Sequence, residues 1–127
     1  MAVLVAYNDS PQGEAALRAA AGEATRRRLP LAVFVLTPQD DETAVPADLA
    51  HLLETLPSEV GPPAITYRDP DADPPEAILD EAERTSAELI VIGSRKRTPV
   101  GKFLLGSTTQ RVLLDASVPV LVIKAQH

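Results

Sequence analysis

Residues 88–124 read ELIVIGSRKRTPVGKFLLGSTTQRVLLDASVPVLVIK. An apolar run, Leu89 to Ile92, stops at Gly93, and a basic loop follows with Arg95, Lys96, Arg97 and Lys102. Gly101 and Gly106 punctuate that loop, and Ser107, Thr108 and Thr109 open a helical pattern. A second apolar run, Val118 to Ile123, closes the unit. The pattern predicts strand, glycine-bearing loop, helix, strand. Such a loop turns backbone N–H groups and the positive end of a helix dipole toward whatever lies above the sheet, which suits an anion.

Working outward, the N-terminal part supplies the same alternation of elements. Ala2 to Tyr7 reads as a buried first strand, followed by the turn formers Asn8-Asp9-Ser10-Pro11. Ser10 is the expected N-cap and Pro11 the first helical residue. Glu14 to Arg28 is helical, with Ala16, Leu17, Ala20, Ala21 and Ala24 forming a small-residue face that allows close packing on a sheet. Arg26, Arg27 and Arg28 are explained by the helix dipole at its C-terminal end and carry no further role.

Leu31 to Leu36 is the second strand, Ala47 to Leu56 a leucine-spaced helix, Ala64 to Tyr67 a short third strand, and Pro75 to Ala87 the next helix. Asp73 is its expected N-cap. The aspartates of the 69–75 segment lack the glycine and closing glutamate of a calcium loop, so they read as a solvated loop. His51 has no companion at ligand spacing and reads as a half-exposed helix residue. Pro119 falls inside the last apolar run, which argues for an edge strand.

The order β-α-β-α-β-α-β-α-β predicts an α/β fold, an open, doubly wound, five-stranded parallel sheet of order 3-2-1-4-5 with helices on both faces. Ligands of such sheets bind beyond the C-terminal strand ends where the winding reverses. Here that crevice lies between the first and fourth strands. The loops that meet there are Tyr7 to Ser10 and Gly93 to Gly106.

Composition bounds the rest. At 127 residues the chain is expected to form one domain over 1–127. Hydrophobic residues are 45% and aromatics 3%, so the core is aliphatic, as in covered parallel sheets. No apolar run approaches the ~20 residues of a bilayer span. A net charge of −6 argues against nucleic-acid binding. Cysteine is absent, which excludes disulfides and thiolate chemistry and points to a cytoplasmic protein.

Taken together, VAYNDSPQGEAAL, ELIVIGS, LLGSTTQRVL and SVPVLVIK resemble the universal stress protein family over essentially the whole chain. The family's glycine pattern is Gly-x2-Gly-x9-Gly-(Ser/Thr). Gly93 fills its first position, Gly106 and Ser107 its last pair, and Lys96 stands at the second glycine. The resemblance implies an adenine nucleotide alpha hydrolase-like fold and a non-catalytic stress protein that binds ATP or AMP, with Mg²⁺ as counter-ion. By resemblance Gly93, Gly106 and Ser107 face the phosphates, while Tyr7, Asn8 and Val35 line the adenine and ribose side. The candidate binding set is completed by Arg95, Lys96, Gly101 and Thr108.

Two departures shape a second reading. Asn8 stands where nucleotide-binding members carry Asp, which removes a carboxylate but keeps hydrogen-bonding capacity. Lys96 adds a charge able to meet a phosphate and a side chain where glycine allowed close approach. The alternative is therefore a dimeric interaction module without nucleotide, pairing through Val118 to Ile123, the strand by which the resemblance implies a homodimer. A hydrolase is disfavoured by the isolated His51 and the absence of a nucleophile elbow or Walker loop.

Overall fold

The computed structural model describes residues 1–37, 47–57, 61–94 and 105–124. Nine elements follow in chain order. They are β1 (Ala2–Tyr7), α1 (Pro11–Arg27), β2 (Leu31–Val35), α2 (Ala47–Glu54), β3 (Ala64–Tyr67), α3 (Pro74–Arg84), β4 (Ala87–Gly93), α4 (Ser107–Asp115) and β5 (Val120–Ile123). The strands form one parallel sheet in the order β3-β2-β1-β4-β5, as the element pattern predicts.

Strand alternation divides the core between the two faces. Val3, Val5 and Tyr7 of β1 pack with α1 and with Leu49 and Leu52 of α2. Leu4 and Ala6 point the other way, to Ile78 of α3 and Val112 of α4. The central strands are buried on both faces, which is why they are continuous aliphatic runs instead of alternating ones. Helix α1 lies close because its sheet-facing stripe is mostly alanine: Ala16, Ala20, Ala21 and Ala24 are all buried.

Several local expectations are met and several corrected. Ser10 caps α1, accepting a 3.0 Å hydrogen bond from the Gly13 amide, with Pro11 opening the helix. Asp73 occupies the N-cap position of α3, yet its side chain makes no capping bond. Ala87 belongs to β4 and not to the preceding helix: α3 ends at Arg84, and Ser86, at φ 52, turns the chain into the strand. Pro119 precedes β5 instead of lying within it. Its carbonyl still accepts from the Ile90 amide at 3.1 Å, a bond that uses no proline N–H. β5 is an edge strand, as anticipated.

One buried carboxylate ties the outer layer together. Glu81 of α3 is 8% exposed, accepts from the Thr66 hydroxyl of β3 at 2.8 Å, and is held by Arg84 Nε at 2.8 Å. These bonds, the one from Arg84 foremost, hold its carboxyl below the usual range against the opposing effect of burial. Among the described residues, no helix is long and apolar enough to cross a membrane.

Candidate functional site

At the winding reversal the loop after β1, the end of β4 and the start of α4 surround a cavity of about 240 Å³. Its wall is built by close backbone approach. A Cβ on Gly93 would stand 2.5 Å from the Gln12 carbonyl oxygen, so only glycine lets the first turn of α1 close over the end of β4. Gly13 meets the same constraint against the Asn8 carbonyl oxygen. The Thr109 hydroxyl donates to the Gly93 carbonyl at 3.1 Å and fixes the start of α4 to the strand end. The Ser94 amide donates to the Ile123 carbonyl at 2.8 Å and secures the other side.

Hydrogen-bonding capacity concentrates here. Helix α4 starts at Ser107 with Gly106 as its N-cap, has no side-chain capping bond and no acid in its first turn. Its first amides are therefore available, and the dipole favours negative charge at that end. Ser107 and Thr108 add hydroxyls to the lining. Two further polar atoms on the wall, Gln12 Oε1 and Ser94 Oγ, are buried without a hydrogen-bond partner among the described residues. Such atoms are costly unless something fills their valence.

Among the described residues that line the cavity there is no Asp, Glu, Lys, Arg or His. An anion placed against the α4 amides meets no carboxylate. Asn8 contributes to this: its Oδ1 accepts from the Ser10 hydroxyl at 2.6 Å, so the amide nitrogen is the end with donors to spare. An aspartate would bring a full negative charge to the same place.

Of the sequence-predicted residues, Asn8, Gly93, Gly106, Ser107 and Thr108 come together on this wall. Tyr7 and Val35 do not. They are paired neighbours on β1 and β2, both buried on the α1 face of the sheet. Strand period explains the difference, since the next residue along, Leu36, emerges on the cavity side and lines it. Arg95, Lys96 and Gly101, with the rest of the basic loop, lie outside the described residues. Sequence reasoning missed Gln12, Leu36, Ser94 and Thr109. Ser94 and Thr109 adjoin the glycine pattern and could have been read from it. Gln12 carried no signal, because its place depends on how α1 crosses β4.

A model of the universal stress protein family matches residues 1–124. A protein of Mycolicibacterium smegmatis named universal stress protein is 37% identical over 125 residues, which covers 96% of each chain. The solved structure of a universal stress protein from Archaeoglobus fulgidus superposes with a TM-score of 0.74 at 35% identity, over 98% of each chain. A second Archaeoglobus fulgidus structure, of the universal stress protein in complex with dAMP, gives a TM-score of 0.68 at 28% identity, again over 98% of each chain. The chain belongs to the universal stress protein family.

Proposed function

We propose that this universal stress protein binds an adenine nucleotide, ATP or AMP, in the crevice between β1 and β4, and holds it without turnover. The observation that carries the reading is the cavity itself. An uncapped helix start with no acid in its first turn shares the wall with two buried side-chain atoms, Gln12 Oε1 and Ser94 Oγ, that lack partners among the described residues. Phosphates would be taken by the amides and hydroxyls of Ser107 and Thr108 beside Gly106, with Asn8 and Gly93 on the facing wall. The dAMP complex of a 28% identical relative supports a nucleotide of this kind. At about 240 Å³ the described cavity is smaller than the ~300–1,000 Å³ of whole-ligand sites, so it suits the phosphate end, with the base lying beyond it.

The described lining supports binding without catalysis. Serine, threonine, asparagine and glutamine line the cavity, and none of them is a general base near neutral pH. Mg²⁺ would act as counter-ion to the phosphates. The absence of cysteine supports a cytoplasmic setting. Isothermal titration with ATP and with AMP, each with and without Mg²⁺, tests the reading. Saturable binding that Gly106→Trp abolishes supports it, and no saturation at millimolar nucleotide ends it.

A second reading, pairing of two copies through β5, has its own observation. Val120 to Ile123 form an apolar edge strand that is only half-buried, and Leu113 and Leu114 of α4 are exposed. An unprotected apolar edge is a template for strand addition. Val122→Glu should give a monomer in sedimentation velocity, with circular dichroism to verify folding. A dimer that persists would move the interface elsewhere.

A further inference from the structure

The cavity at the winding reversal is rich in donors. The first amides of α4, the Ser107 and Thr108 hydroxyls and the amide nitrogen of Asn8 all belong to its wall. Gln12 Oε1 is different, because a side-chain carbonyl oxygen can only accept. It is buried and has no partner among the described residues. The same holds for Ser94 Oγ, on a residue only 1% exposed that lines the same cavity.

Backbone geometry brings these two residues to one place. The Gln12 carbonyl oxygen would stand 2.5 Å from a Cβ on Gly93, so the first turn of α1 rests on the residue that precedes Ser94. Their bonding needs differ. A hydroxyl donates or accepts, so any phosphoryl oxygen satisfies Ser94. The Gln12 oxygen is satisfied only by a ligand that brings a donor. A phosphoryl dianion brings none, and it would set its oxygens against an acceptor where an unmade bond is costly. A monoanion carries one P–OH, which can donate to Gln12 Oε1 while its other oxygens accept from the α4 amides and Ser94.

We propose, on the footing of the nucleotide reading, that Gln12 is a specificity-determining residue: it makes the cavity select a terminal phosphoryl group in its protonated, singly charged form. Such a group has its second pKa at about 6, so binding of this form draws in protons above that pH. No titratable side chain stands among the described residues that line the cavity from the ends of β1, β2 and β4 and from α1 and α4. The charged residues next along the chain on either side of Gln12 are Asp9 and Glu14. They line a groove between α1 and α2, together with Tyr7, Arg18, Asp48 and His51.

The probes are AMP and adenosine 5′-sulfate, an ester of like shape and single charge that has no proton to give. Calorimetry without Mg²⁺, in two buffers of different ionisation enthalpy, reads both the affinity and the protons taken up. AMP should bind about tenfold tighter at about pH 5.5 than at about pH 8, and should take up about half a proton at about pH 6.5. The sulfate ester should take up none and keep one affinity across that range, which excludes a titrating side chain of the protein, His51 included, as the cause. Gln12→Met keeps the side-chain length and removes the acceptor. It should erase the proton uptake with AMP and the pH dependence, with thermal melts to verify folding. If that variant does not fold, the two esters compared on the unmodified chain decide. AMP binding indifferent to pH, proton uptake with both esters, or a sulfate ester that binds tighter than AMP at about pH 5.5 would each overturn the proposal and leave the nucleotide reading standing. Binding of neither ester at any pH ends both.

Discussion

Asn8 and Tyr7 are adjacent in sequence, yet they end in opposite surroundings. Asn8 lines a cavity closed by α1 and the start of α4, with no charged side chain among the described residues that line it. Tyr7 lines an acidic groove between α1 and α2. The difference comes from strand period: at the end of β1, one residue's step moves a side chain from one sheet face to the other. Chemistry then follows from what each face receives. On one side an uncapped helix start presents amides, with no acid among the described residues that line the cavity, and on the other Asp9 and Asp48 stand near Arg18 and His51.

The most forceful way to break this comparison is to push the faces apart. Gly93→Val places branched carbons against the Gln12 carbonyl and should cost about 3 kcal/mol of stability by thermal or urea melts, with nucleotide binding lost. A cost below about 1 kcal/mol would mean that α1 does not rest on β4 as described. Ser107→Ala is gentler. It should weaken nucleotide binding by about 1 kcal/mol in calorimetric titration and leave the melting temperature nearly unchanged.

The two faces should also answer to opposite ends of the pH scale. Glu81, on the α3 side, has a lowered carboxyl pKa, caused first by its bond from Arg84 and helped by Thr66. Its stabilisation is present above the ordinary carboxylate pKa and is lost as the pH falls through the depressed folded value. Glu81→Gln should therefore flatten the acid limb of a stability–pH curve and cost about 1 kcal/mol near neutrality. Tyr7 has a raised phenol pKa, caused first by burial. Its contribution is present below about pH 10 and is lost as the pH rises toward the higher folded value. Tyr7→Phe should soften the alkaline limb and leave the acid one alone, the smallest of these effects. If both variants move the same limb, the two faces are not electrostatically separate.

Much of the fold was legible residue by residue. The aliphatic runs of β1, β2 and β4 could only be strands covered on both sides, and Ser10-Pro11 marked the start of α1. The site was legible in part: Gly93, Gly106 and Ser107 announced themselves through spacing. Leu36, and not Val35, reaches the described cavity, because alternation says which residues share a face without saying which face meets the crevice. The apolar run continues through Pro119, whereas pairing with Ile90 begins at Val120.

By itself, then, the sequence determined the order of elements, the sheet's winding and the place where it reverses. Those depend on periodicity and on local breakers, which act over a few residues. Only tertiary structure decided that Gln12 and Ser94 share a wall with Ser107, and that Tyr7 shares a groove with Asp48 of α2. Such meetings depend on the angle and depth at which helices cross the sheet, which are set by packing between segments far apart along the chain.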